Sequence, residues 1–173
     1  MASPGGPVED IFGPDGRLRP DLLTEPALAA LREALSQARE TRWDSVRSPH
    51  VFMGLLAVPD AGIRNWRERL DEAVGQILDL EEFQELFRQD PVETDIILAL
   101  NREFLSDNVI RLLRDARERA TSHQRSRITT MDLLINMLTS PNSIVAECFE
   151  RAGVTAAKLT ELAVLAEYHT GPG

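Results

Sequence analysis

From Thr24 onward, apolar residues recur at three- and four-residue spacing. Leu28, Leu31, Leu35 and Ala38 fall on one stripe with charged residues between them, which is the period of an amphipathic helix. Thr24 offers an N-cap acceptor ahead of this stripe, and Pro26 suits its first turn. Ser48 and Pro49 repeat the start signal before the apolar run VFMGLLA, which predicts a second, shorter helix ending near Ala57. The segment VPDAG breaks it, and a third periodicity follows at Ile63, Trp66 and Leu70. A fourth stretch, Glu72 to Arg88, carries Val74, Ile77, Leu78, Phe83, Leu86 and Phe87 before QDPVET interrupts the chain. No segment alternates with period two between turn residues, so a strand-rich fold is excluded.

The pattern then occurs a second time. At an offset of 82 residues, the distance from Thr24 to Ser106, Leu31 falls on Leu113, Arg32 on Arg114, Ala34 on Ala116 and Ala38 on Ala120. The register continues without a gap through Leu56/Leu138, Pro59/Pro141, Glu68/Glu150 and Arg69/Arg151. It keeps apolar against apolar at Val46/Ile128, Val51/Leu133 and Ile77/Leu159. Matched caps, breakers and core positions at one fixed offset indicate a duplicated unit. The prediction is an all-α domain of two four-helix halves, 24–89 and 94–168, related by a pseudo-twofold and holding about eight helices. Residues 1–23, crowded with Pro and Gly, read as a flexible or draped arm that Ile11, Phe12, Leu22 and Leu23 could anchor; residues 169–173 are a tail. Two such halves create grooves at and beside their interface, where helical domains bind partners.

Charge and composition narrow the function. With 28 acidic against 19 basic residues and a net charge of −9, the chain opposes nonspecific attraction to nucleic acid or anionic membrane. No segment approaches the ~20 apolar residues of a membrane span, and the start shows no basic region followed by a hydrophobic stretch, so a cytoplasmic setting is expected. Cys148 is the single cysteine, in SIVAECFE, where a small thiol fits a buried helix side and can form neither a disulfide nor a cysteine metal site. The only lysine, Lys158 in TAAKLTE, has no Gly-rich loop before it, so these residues do not cradle nucleotide phosphates.

Candidate chemistry is sparse. His50 could be a ligand or general base, but His123 and His169 lie in unrelated segments without metal-ligand spacing. Its repeat partner is Asp132, and both residues can hydrogen-bond a helix start. Ser48, His50, Thr130 and Asp132 are therefore read as structural helix starts. Trp66, opposite Cys148, reads as core; Trp43, opposite Arg125 in a loop, is the more exposed and a candidate partner contact. Arg114, Arg117, Arg119, Arg125 and Arg127 interleave with Asp115 and Glu118 and read as a solvated face ahead of the alternative, a site for an acidic partner. The amphipathic stretch LDLEEFQELF either extends the fourth helix or presents Phe83 and Phe87 to a partner. No catalytic order of Ser, His and acid is recognisable, so no enzyme activity, metal or cofactor is expected.

The segments LTEPALAALREALSQA and SPHVFMGLL, with LSDNVIRLLRDARERA, TMDLLINML and ECFERAGV in the second half, resemble the N-terminal domain of Clp ATPases. That resemblance implies a double repeat of four helices each and a non-catalytic recognition domain in a bacterial chaperone or protein-quality-control system. Such domains receive substrates or adaptor proteins for an ATPase ring. Some members read phosphoarginine with the Thr that opens each repeat and a Glu at the second helix start. Here Thr24 is kept and Ser106 replaces its counterpart, but the acidic places hold Pro49 and Met131, so phosphoarginine reading is not expected. The type VI secretion branch takes a sheath helix into a hydrophobic groove, which needs no such acid. The expected partner is therefore a peptide, a helix or an adaptor: a Clp-type AAA+ ATPase, its substrate or a secretion-sheath helix. Thr24 and Ser106 would be rim or cap residues of a monomer or weak dimer. The alternative is a helical scaffold dimerising through Phe83 and Phe87.

Overall fold

A computed structural model of the chain describes residues 10–75, 98–141 and 143–170. Seven α-helices run in order among the described residues: α1 Glu25–Glu40, α2 Ser48–Ala57, α3 Ala61–Val74, α4 Asp107–Ser122, α5 Thr130–Thr139, α6 Ile144–Arg151 and α7 Ala156–Thr170. Short 3-10 turns, Pro20–Leu22 and Arg102–Phe104, precede α1 and α4. Apart from isolated bridge pairs, no strand occurs among these residues, and the architecture is all-α as the periodicity predicts.

The duplication is visible in local geometry. Helices α1 and α4 each have 16 residues, and α2 and α5 each have 10, at the same offset. Arg42 and Gln124, which follow α1 and α4, both adopt the left-handed backbone, at φ 59° and 61°. The halves are also stitched reciprocally. Thr24 donates its N–H to the Ile128 carbonyl (3.0 Å) and Ile128 donates to that of Leu22 (2.7 Å). In the mirrored seam Ser106 donates to Val46 (3.0 Å) and Val46 to Phe104 (2.8 Å). Each repeat's lead-in therefore pairs with the other repeat's loop, which satisfies backbone groups that the caps leave open and fixes the pseudo-twofold.

One core serves both halves. Trp66 of α3 is fully buried and donates its indole N–H to the Leu159 carbonyl of α7 (3.2 Å). Its ring meets Phe52 and Phe149 edge-on, at centroid separations of 6.2 Å for each. Helices α1 and α2 approach closely because Ala30 and Ala34 face Gly54. Residues 10–23 belong to this core too: Ile11, Phe12, Leu18, Leu22 and Leu23 are buried, and Asp10 is held by Arg102 (3.0 Å) and Arg114 (3.2 Å).

The halves differ after their second helices. Helix α3 runs 14 residues to Val74, so Glu72, assigned by periodicity to a fourth helix, belongs to the third. The reason is the position of glycine. Gly75 ends α3 in the left-handed conformation (φ 79°), whereas Gly153 (φ 89°) falls in the turn after the eight-residue α6, at the place where the first repeat has the helical residue Asp71. The remainder of the expected fourth helix, with Phe83 and Phe87, lies outside the described residues.

Candidate functional site

The two seams bring together most of the residues singled out in the sequence, and each seam has the same parts. Thr24 and Ser106 are half-buried N-caps whose side-chain oxygens accept the N–H of Ala27 (3.4 Å) and Val109 (3.3 Å). These oxygens serve their own helices, as N-caps do. Across from each cap lies the start of the other repeat's second helix, positioned by the reciprocal backbone bonds.

At those starts the third helical residue reaches back. His50 Nδ1 accepts the Arg47 N–H (3.0 Å), and Asp132 Oδ2 accepts the Thr129 N–H (2.9 Å); at α5 the Thr129 hydroxyl also accepts the Asp132 N–H (3.1 Å) and completes a capping box, whereas the Arg47 side chain has no acceptor to do so. The acceptor role leaves His50 Nδ1 unprotonated. Burial, together with the neighbouring Arg47 guanidinium, pushes its pKa down to about 4. The imidazole is thus neutral near pH 7 and bonded to the start of α2.

Trp43 corrects the expectation of an exposed contact. It is only 7% exposed, because the chain folds back after α1 with the Trp43 N–H donated to Ala38 (2.9 Å). Its indole lies edge-on to His50 (5.7 Å) beneath the Arg47 guanidinium (4.6 Å). At the equivalent place in the second repeat, Arg125 turns inward rather than out. Asp132, fully buried, accepts from Arg125 (2.8 Å) and Arg119 (2.7 Å), and Arg119 also holds Glu167 of α7 in a two-bond fork (2.8 and 2.9 Å). Burial opposes the Asp132 charge, but the bonds from Arg125, the Thr129 N–H and Arg119 outweigh it and hold the carboxyl below its usual range. Arg119 and Arg125 are therefore not part of a solvated face. Nothing in the local sequence signals this four-residue network, because Glu167 lies 48 residues from Arg119.

The second helical residue separates the seams. Met131 is 4% exposed and its thioether abuts Gly62 at the start of α3, where a Cβ on that glycine would come within 2.9 Å of the sulfur. Above it the Thr130 hydroxyl donates to Asp60 (2.7 Å), and Asp60 also caps α3 by accepting the Ile63 N–H (3.0 Å). That seam is filled and bonded. In the other, Pro49 and Ile144 hold the places of Met131 and Gly62, and Ile144 stays 43% exposed. Beside it a pit of about 50 Å³ is lined by Ser48 of α2, Asn108 and Arg111 of α4, Met137 of α5 and Ile144 of α6.

Two broader depressions lie elsewhere. One of about 750 Å³ runs between the end of α5, α6 and the start of α7, with Glu147 and Glu150 on its rim. Another, of about 520 Å³, follows α4 beside Asp10, Ile11 and Arg117. Among the described residues, no group of His, Cys, Asp and Glu could hold a metal ion, and no helix is long and apolar enough to cross a membrane. Burial pushes the Cys148 thiol up, away from the reactive thiolate.

Comparison with known proteins gives a consistent relationship. The family described as the Clp repeat (R) N-terminal domain matches residues 104–171. The fold is similar to the N-terminal domain of the caseinolytic protease associated chaperone ClpD from Arabidopsis thaliana. That likeness has a TM-score of 0.61 at 16% identity and covers 83% of this chain and 93% of that one. The N-domain of ClpV from Vibrio cholerae is similar at TM-score 0.61 and 16% identity, covering 84% of each chain. A further structure, from work on the coevolution of the ATPase ClpV, the TssB-TssC sheath and the accessory HsiE protein, is similar at TM-score 0.58 and 21% identity, covering 88% of this chain and 90% of that one. None of the curated proteins compared matches the chain.

Proposed function

Because this chain carries the Clp N-terminal domain fold, with the Clp repeat itself over residues 104–171, we propose that it is a non-catalytic protein-interaction domain. It takes a peptide, a helix or an adaptor protein into a groove between helices, within a Clp-type remodelling or secretion-linked system in the cytoplasm. The partner is a Clp-type ATPase, a substrate of that ATPase or a sheath helix of the kind that accompanies ClpV in the type VI systems.

The observation that carries this reading is the state of the four seam positions. The oxygens of Thr24 and Ser106 accept from their own helices, Met131 is packed against Gly62, and Pro49 has no charge. Neither Pro49 nor Met131 offers a carboxylate to a guanidinium, and Asp132 is already taken by Arg119 and Arg125, so an unmodified protein segment fits better than phosphoarginine.

The test is affinity capture from the native cell with the full chain as bait, paired with calorimetric titration of phosphoarginine. Enrichment of a Clp-type ATPase, its substrate or a sheath protein, without phosphoarginine binding, is expected. Capture of none of them removes the reading, and micromolar phosphoarginine binding lost in Thr24→Ala redirects it to the modified residue.

A further inference from the structure

The pseudo-twofold builds the same apposition twice and closes only one. In the closed copy Met131 lies against Gly62, and the Thr130 hydroxyl is bonded to Asp60. The open copy has Pro49 for the methionine and Ile144 for the glycine. The exchange of sizes does not fill the space: Ile144 remains 43% exposed and the pit of about 50 Å³ beside it is empty. That volume suits the end of one aliphatic side chain, since Met137 and Leu112 form its apolar floor.

Charge at the rim is one-sided. Arg111, exposed on the outer face of α4, lines the pit and forms no ion pair among the described residues. Among the described residues no carboxylate lines the pit, and its other polar groups are the uncharged side chains of Ser48, Asn108, Ser140 and Ser143. In the closed copy the place of Arg111 is held by Ala29, so the cation belongs to the open copy alone. A fork of guanidinium donors beside an apolar pit, on a chain of net charge −9, is complementary to a carboxylate that accompanies an aliphatic side chain.

We propose that the open copy of the twofold groove, between Ser48 of α2, Arg111 of α4 and Ile144 of α6, is the docking site for a partner segment bearing an aliphatic residue beside an acidic one. The aliphatic side chain enters the pit against Ile144 and Met137, and Arg111 receives the carboxylate. This rests on the interaction reading above and gives it a place and a chemistry.

The test uses the full chain, uniformly labelled with nitrogen-15, and four alanine-rich peptides of equal length. The first carries a leucine and a glutamate one helical turn apart, and the others replace Glu by Gln, Glu by Lys, or Leu by Ala. The Leu/Glu peptide should shift the amides of Asn108, Arg111 and Ile144 and bind about three- to fivefold more tightly than the Gln peptide, as an exposed ion pair allows. The Lys peptide should be weakest. Arg111→Gln, a change at an exposed position, should equalise the Glu and Gln peptides, and Pro49→Met, which copies the closed half, should weaken all four.

Equal affinity for the Glu and Gln peptides, or no binding by any peptide, overturns the proposal. Shifts confined to another groove overturn it while leaving the interaction reading intact. Shifts at the pit that grow with protein concentration in the absence of peptide assign it to a second copy of the chain and overturn it as well. The capture experiment reads out the broader function independently.

Discussion

His50 Nδ1 lies 3.0 Å from the backbone nitrogen of Arg47 and accepts its N–H, closing the start of α2. Protonation of the ring removes that acceptor and sets a second cation beside the Arg47 guanidinium. Asp44 lies next to that guanidinium (3.4 Å) and neutralises it in part.

Stability should therefore depend on pH through His50. Its folded pKa of about 4 lies below the ordinary 6.5, so the unfolded chain binds the proton more readily. The contribution is fully present above pH 6.5, falls as pH drops from there toward 4, and amounts to at most about 3 kcal/mol. Urea denaturation at pH 7 and pH 5 should show this loss. His50→Asn keeps an acceptor for Arg47 but does not titrate, so it should flatten the dependence; an unchanged slope would mean another group is responsible.

In the second repeat the same position is an acid inside an ion network, and the expected behaviour differs. Removing the Asp132 side chain leaves Arg119 and Arg125 with Glu167 alone and strips the cap from Thr129. Asp132→Ala should destabilise the domain by about 3–5 kcal/mol at neutral pH, the usual cost of an uncompensated buried charge. Because the folded Asp132 pKa is lowered, its contribution persists at neutral pH and is lost as pH falls through the carboxylate range. Combining Asp132→Ala with Arg125→Met should recover part of the loss, which a double-mutant cycle measures.

These two positions also show what could be read from the chain alone. Their shared role was legible because a polar third residue after a cap has a local purpose, and the repeat displayed it twice. The packing around them was not. Trp43 looked like an exposed loop residue, and Arg125 like part of a solvated face, because the residues that cover them come from elsewhere. The left-handed turn at Arg42 brings the Trp43 ring under Arg47, and Arg125 meets an acid seven residues on, within reach of Glu167 of α7 at 3.8 Å. The seam itself was half legible. The offset aligned Thr24 with Ser106 and Val46 with Ile128, yet that each pairs with the other repeat rather than its own depends on long-range backbone bonds. The pit at Ile144 depends on side-chain volumes that differ across the twofold, Pro49 and Ile144 against Met131 and Gly62.

Trp66 should be the most sensitive single core position. Its ring is fully buried among Phe52 and Phe149, and its N–H ties α3 to α7. Trp66→Phe retains most of the volume but leaves the Leu159 carbonyl without this donor, and should cost about 1–3 kcal/mol. Trp66→Ala should cost about 3–5 kcal/mol through the cavity it opens, read as a lower urea midpoint.

The two helical glycines should respond to alanine in different ways although both sit at crowded positions. A Cβ on Gly54 would stand 2.2 Å from the Ala30 carbonyl oxygen, which belongs to the backbone of α1 and can yield only if the helices separate. The gain in helix propensity, about 1 kcal/mol, is smaller than the cost of prising apart a packed pair, so Gly54→Ala should destabilise by about 1–3 kcal/mol net. A Cβ on Gly62 would meet the Met131 sulfur at 2.9 Å instead, and a thioether on a flexible stem can move aside. Gly62→Ala should therefore stay within about 1 kcal/mol of the parent while displacing Met131, visible as methyl shifts in a carbon-13 methionine spectrum. Equal losses for the two variants would show that Met131 is held as rigidly as the α1 backbone and that the closed seam has no slack.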